Sequence, residues 1–312
     1  MGGSSGGPFD NVSPAKLREI VRKAENKSTV AAFEAELAAM LGTLLGGYNS
    51  RDSELVTARL GNLKDLLENE IDGAFDHLFG GSVAKHTYVD GLSDIDSLLV
   101  INDTELMNHS PQKALQHMEQ ILTDGLGGTA KVEHGRMAIT VTYADGMVIQ
   151  LLPAVRENER HLKVPSSRRD DWSKIDPLAF QEVLTRRNQE CAGKLVPTIK
   201  LAKAINGQLP EPQRLSGYHM ESLAIAAFRG YQGDKTTSAM LPFLFERARA
   251  LVLSPIRDSS GQSVHVDAYL GVEGSEARQA ISHVIGRLGR RMRNASAAGS
   301  ASQWRALFGL DE

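Results

Sequence analysis

Cysteine is nearly absent: Cys191 is the only one in 312 residues. No internal disulfide can form, and there is no pair of Cys-x-x-Cys motifs from which to build a zinc ribbon. A reducing, cytoplasmic setting is expected. No stretch reads as the roughly 20 consecutive apolar residues that span a bilayer, and the start lacks the charged-then-apolar order of a signal peptide, so no membrane partner is expected. An excess of basic charge is missing too. A formal net charge of -3 excludes coating nucleic acid by bulk charge, and no stable nucleic-acid partner is expected. Arg287, Arg290, Arg291 and Arg293 read as a solvated helix end, where the helix dipole favours cations. The nine histidines include no His-Glu-x-x-His, and neither a Walker A loop, a Rossmann fingerprint nor a Gly-x-Ser-x-Gly elbow occurs.

What is present is globular. Hydrophobic residues make up 41% and charged residues 23%, which excludes disorder of the whole chain and suffices for one large or two smaller cores. Residues 1–13 open with Met1-Gly2-Gly3-Ser4-Ser5-Gly6-Gly7 and read as a flexible segment or an expression remnant. From Ser13, apolar residues recur at helical spacing as far as Gly46 and Gly47, with Ser13 or Ser28 able to cap. A second helical pattern, from Asp52 or Ser53 through Leu60, Leu67, Ile71, Phe75 and Leu78, predicts a helix of about seven turns that would brace two lobes.

Thereafter the period becomes two. Residues 97–102, 137–143 and 147–152 read as strands, the last two joined by the turn Ala144-Asp145-Gly146, with a helix over 111–124. Residues 154–176 are polar and read as a connecting loop. Helices are expected from Pro177 to about Asn206, from Ser216 or Gly217 to Arg229, and over 236–252, 275–293 and 301–309. The fold class is α/β (α+β): residues 14–160 hold the N-terminal helices and a small mixed-sheet lobe, and 161–312 a helical C-terminal lobe.

The chemistry concentrates in Gly80-Gly81-Ser82-Val83-Ala84-Lys85-His86-Thr87-Tyr88-Val89-Asp90-Gly91-Leu92-Ser93-Asp94-Ile95-Asp96. Gly81 and Ser82 let backbone amides and a hydroxyl approach phosphate oxygens closely. Asp94 and Asp96, two apart at the entrance to an apolar strand, share one face of it. Hard carboxylate ligands beside a phosphate cradle suit magnesium, which binds through carboxylates and substrate phosphates together; a nucleotide is the natural co-ligand, and two-metal transfer the matching chemistry.

Gly81-Ser82, followed after eleven residues by Asp94-x-Asp96 and an apolar strand, resembles the signature of polymerase-beta-type nucleotidyltransferases. With Thr87 and Ser93-Asp94-Ile95-Asp96, the match is similar to the CD-NTases, which include cyclic GMP-AMP synthase and the bacterial cyclases of antiviral CBASS operons. It extends over residues 52–310, through Leu151-Leu152-Pro153-Ala154, Trp172, Asp176-Pro177, Lys203-Ala204-Ile205-Asn206 and Ser216-Gly217-Tyr218-His219-Met220-Glu221. The resemblance implies a two-lobed enzyme that makes a cyclic di- or oligonucleotide second messenger from nucleoside triphosphates. It implies magnesium (or manganese) as cofactor and operon-encoded regulatory or effector proteins as partners. Lys203 would contact the triphosphate, Ser216 would assist, and Tyr218 would stack on a base.

Gln150 departs from the pattern. The family has a third carboxylate here; a neutral amide can accept through its oxygen but cannot serve as a base. An engineered change, a natural variant, or use of another carboxylate such as Asp145 would each account for it. Two further readings stand beside the cyclase: transfer of a nucleotide to an RNA, a protein or a small molecule, and a nucleotide-binding sensor without turnover.

Overall fold

The computed structural model of the protein describes residues 13–48, 53–71, 74–79, 87, 95–102, 109–166, 170–257 and 266–310. Helix α1 (Pro14–Gly47) begins at Ser13, whose hydroxyl accepts from the Lys16 amide; Ser28, the other candidate cap, lies within the helix. Helix α2 (Ser53–Glu70) follows. The seven-turn expectation is corrected here, because residues 74–79 form β1 (Ala74–Phe79), paired antiparallel with β2 (Ile95–Asn102). Phe75 and Leu78 fit a helical period and a short strand equally well, and Gly73, which precedes both, weakens helix propagation into them.

The sheet continues through α3 (Pro111–Leu126), β3 (Ala130–His134), β4 (Ile139–Tyr143), β5 (Val148–Arg156), β6 (Leu162–Pro165) and β7 (Trp172–Ile175). Its order is β1-β2-β5-β4-β3, with β6 joining the far end of β5 and β7 joining β6. Among the described strands only β2 and β5 run parallel. The expected loop over 154–176 is therefore replaced in large part by the end of β5 and by β6 and β7, which carry the sheet past residue 160. Backbone ladders stabilise these polar strands without a long apolar run to announce them.

One sheet face packs Leu99, Ile101, Ile139, Val141, Ile149 and Leu151 against Val56, Leu60, Leu63 and Leu67 of α2 and Ala114, Leu115, Met118 and Leu122 of α3. The other face carries a smaller cluster of Leu98, Val100, Ala154, Leu162 and Val164. The second large core is helical. It is built from α4 (Ala179–Glu190), α5 (Leu195–Gly207), α6 (Gly217–Ala227), α7 (Thr237–Leu251), α8 (Glu276–Ala297) and α9 (Ala301–Leu307). The single helix expected after Pro177 is two, separated where Ala192 and Gly193 have φ of 52° and 76°, a conformation no right-handed helix can contain.

Leu37, Met40 and Leu41 of α1 are buried in this helical core and not with the sheet, so α1 leaves the unit 14–160 to which its place in the sequence had assigned it. Residues 15–32 of the same helix are exposed wherever their side chains are described, including Ile20, Val21 and Val30. Within Arg18–Gly47 an eighteen-residue window reaches a mean hydropathy of 1.3, so α1 alone among the described helices is long and apolar enough to cross a membrane by length and composition. That corrects the expectation that no stretch comes near.

Candidate functional site

Asp96 is the second residue of β2, and its Cα partner across the parallel ladder is Gln150 on β5. Thr140 of β4 flanks Gln150 on the other side. Neighbouring strands lie about 4.8 Å apart, so positions 96 and 150 sit side by side on adjacent strands. Strand alternation gives Gln150 the face of Leu152 and Ala154, and gives position 96 the face of Leu98 and Val100. This is the face away from α2 and α3, at its end beyond the small apolar cluster. Gly81, Ser82 and Asp94 lie outside the described residues, as does the side chain of Asp96.

Asp145, the alternative carboxylate, is held elsewhere. It sits in the β4–β5 turn, where Arg59 of α2 contacts both carboxylate oxygens at 3.0 Å while stacking 3.8 Å from the centre of the Tyr143 ring. The Arg59 hydrogen bond, with the Met147 amide, keeps its carboxyl below the usual range. It lies five positions before Gln150, in the turn that precedes β5.

Across from the sheet, Lys203 on α5 forms a buried ion pair with Glu221 on α6, Nζ to Oε1 2.6 Å, the side chains 7% and 1% exposed. Lys203 also donates to the carbonyl and hydroxyl oxygens of Thr87, at 3.1 and 3.3 Å. The fully buried Thr87 hydroxyl donates in turn to the same Glu221 oxygen. A segment from between the glycine-serine element and Asp94 thus meets two helices of the helical core at one carboxylate. One turn earlier on α5, Lys200 is buried as well; burial, and then the charge of Lys203, push its pKa down.

Ser216 caps α6, accepting from the His219 amide. Its own amide donates to the Tyr269 hydroxyl at 3.2 Å, which lies 2.8 Å from His219 Nδ1. His219 is fully buried; burial lowers its pKa to about 4 against the opposing pull of Asp267, whose Oδ2 is 3.7 Å from Nε2. Nδ1 of the ring shares a hydrogen bond with the Tyr269 hydroxyl, and Nε2 faces that carboxylate from beyond hydrogen-bond distance. Burial opposes the charge of Asp267, yet hydrogen bonds from Arg278 and the Ile256 amide outweigh it and hold its pKa low. Arg278, also fully buried, bonds Asp267 at 2.6 Å and the carbonyls of Val252, Ser254 and Gly271. The cap at Ser216 therefore rests on a buried network in which His219 Nε2 has no hydrogen-bond partner among the described residues. Tyr218, half-buried, packs its ring 4.6 Å from Phe180 of α4. A Cβ on Gly217 would lie 3.5 Å from Lys203 Cε and Nζ, so Ser216, Gly217 and Lys203 form one neighbourhood.

Sequence reasoning singled out Gln150, Lys203, Ser216 and Tyr218, and the structure gathers the last three at the α5–α6 junction and sets the first beside Asp96. It gave no role to Glu221, His219, Asp267, Tyr269 or Arg278. Among the described residues no group of three His, Cys, Asp or Glu side chains could hold a metal ion. The donors that fit magnesium are the oxygen-bearing positions 94, 96 and 150, of which two are in register on adjacent strands.

Residues 48–188 match the family of Second Messenger Oligonucleotide or Dinucleotide Synthetase domains, a span that holds Asp94, Asp96 and Gln150 but ends before α5. None of the curated proteins matches the chain in sequence. The fold is similar to that of Bradyrhizobium diazoefficiens CdnG in complex with GTP, with a TM-score of 0.66 at 16% identity over 88% of this chain and 95% of that one. It is similar also to E. coli MS115-1 CdnC with ATP, with a TM-score of 0.64 at 15% identity over 90% and 97%. Vibrio cholerae DncV cyclic AMP-GMP synthase gives 0.60 at 12% over 94% and 90%.

Proposed function

In a chain whose residues 48–188 belong to the second messenger oligonucleotide or dinucleotide synthetase family, and whose fold is that of the CD-NTases, we propose a cytoplasmic nucleotidyltransferase that makes a cyclic di- or oligonucleotide from nucleoside triphosphates in bacterial anti-phage defence. The observation that carries the reading is the register of β2 on β5, which sets positions 96 and 150 side by side at the strand ends where the family signature needs its carboxylates. E. coli MS115-1 CdnC forms a complex with a HORMA protein, and an operon-encoded regulatory or effector partner is part of the proposal here.

Asp94 and Asp96 would hold magnesium, or manganese, together with the triphosphate; when bound, the ion polarises the α-phosphate and offsets the charge of departing pyrophosphate. Gly81 and Ser82 would orient the phosphates, Ser216 would assist from the start of α6, and Tyr218 would offer a ring face to a base. The bond from a ribose hydroxyl oxygen to the α-phosphorus forms as the bond to the pyrophosphate oxygen breaks. Gln150 can direct its amide oxygen toward the reacting groups but cannot take the hydroxyl proton. That proton must leave to solvent, and turnover is slow.

Gln150→Asp and Gln150→Glu are therefore expected to raise product formation about 10²- to 10⁴-fold in a radiolabelled nucleotide assay. Equal activity in all three forms would remove the third-carboxylate argument. The same residue favours a second reading, a nucleotide-binding sensor without turnover. Triphosphate binding by every form with product from none would establish it.

A further inference from the structure

We propose that Glu221 is a positioning residue for the nucleotide site, acting through Thr87 and Lys203 and touching no substrate itself; the inference rests on the site reading given above. One carboxylate oxygen, Oε1, takes both the Lys203 ammonium and the Thr87 hydroxyl. Thr87 lies five residues after Ser82 and seven before Asp94, near the middle of the segment that links the phosphate-binding glycine-serine element to the metal carboxylates. Its carbonyl is bound to the same ammonium. The middle of that segment is therefore fixed to α5 and α6 by three hydrogen bonds that converge on two side chains.

The arrangement gives Lys203 a positioning role beside the triphosphate contact that the resemblance implies. An ammonium has three N–H donors, and Glu221 Oε1, Thr87 O and Thr87 Oγ1 supply three acceptors for them. Its ammonium also serves the site indirectly: it bonds the same Glu221 oxygen that takes the Thr87 hydroxyl.

The two roles predict opposite signs for one substitution. If Lys203 clamps phosphate and Glu221 merely competes for it, Glu221→Gln frees the ammonium and tightens triphosphate binding. If Glu221 positions the segment, Glu221→Gln weakens it. Calorimetric titration of the full chain with ATP and with GTP at fixed magnesium reads the difference. Loss of a hydrogen bond to a charged group corresponds to about a 10- to 100-fold fall in affinity, and that fall is expected for Glu221→Gln.

Because Glu221→Gln disturbs a buried pair and can fail to fold, Thr87→Val supplies the second arm. It keeps the shape and the carbonyl contact, removes both hydroxyl bonds, and should weaken magnesium-triphosphate binding in the same range with little change in melting temperature. Thr87→Ser, which retains the hydroxyl, should restore it; a purely structural role for Thr87 would move the melting temperature and not this affinity. Wild-type affinity in Thr87→Val, or tighter binding in Glu221→Gln, overturns the proposal. A parent protein that binds neither nucleotide with magnesium overturns the site reading beneath it, an outcome distinct from binding that the variants leave unchanged.

Discussion

His219 is a fully buried base beside a fully buried carboxylate, and its low pKa makes the fold sensitive to mild acid. In the unfolded chain it titrates near 6.5, in the folded protein at about 4. Between those values the unfolded state binds a proton that the folded state refuses. Stability is thus complete above pH 6.5 and falls as pH drops through the window, by at most about 1.4 kcal/mol per pH unit. The depressed carboxyl of Asp267 works in the same direction only at lower pH, below its unfolded value of 3.8. Thermal melts between pH 7 and 4.5 should show a steady decline that His219→Asn flattens; an unchanged slope in the variant would assign the titration to another group. The sequence contains His219 and Glu221 inside a familiar stretch, Ser216 to Glu221, yet nothing marks them as interior. Helix α6 is buried on almost every side, so polar residues with no apolar period of their own are drawn into the core, and only their partners on distant segments reveal why they are tolerated.

Helix α1 joins two unlike halves, and the contrast can be measured. Leu41 is 0% exposed in the helical core, and Leu41→Ala should cost about 2–5 kcal/mol. Removing residues 1–31, by contrast, takes away helix that buries none of its described side chains, and should shift the melting temperature by no more than about 2 °C while far-ultraviolet ellipticity falls. A large drop in melting temperature on truncation would mean that this half has a packing partner. Periodicity announced α1, α3 and the helices from α6 onward to within a few residues, because each carries an amphipathic or apolar pattern, but it merged α4 and α5 into one. It missed β1, β3, β6 and β7, which are short, polar or mixed, and are held by ladder pairing that local sequence does not encode.

For the molecule as a whole, the site is a meeting of two cores, one under the sheet and one among the helices. A ligand that bridges them should stabilise both together. ATP with magnesium at about a hundred times its dissociation constant adds about 2.7 kcal/mol, a rise of several degrees in melting temperature. Asp94→Asn and Asp96→Asn should each abolish that rise by removing metal-held triphosphate, and a full shift in both variants would remove the metal assignment. The sequence made Asp94, Asp96 and the anomaly at Gln150 legible, since a short signature with fixed spacing carries them. It could not show that Lys203 meets Thr87 and Glu221, which come from far apart in the chain.

That separation has a kinetic side. Asp96 and Gln150 are joined across 54 residues, Lys203 and Thr87 across 116, and Thr87 and Glu221 across 134. Contacts of such long range form only after the chain has met the entropic cost of closing the intervening loops, and a parallel strand pair is slow for the same reason. The helices can condense early on local contacts, whereas β2 must find β5, and Thr87 its carboxylate, near the end. A newly made chain would therefore be compact and helical well before it could hold a nucleotide, and binding competence marks the last step of folding.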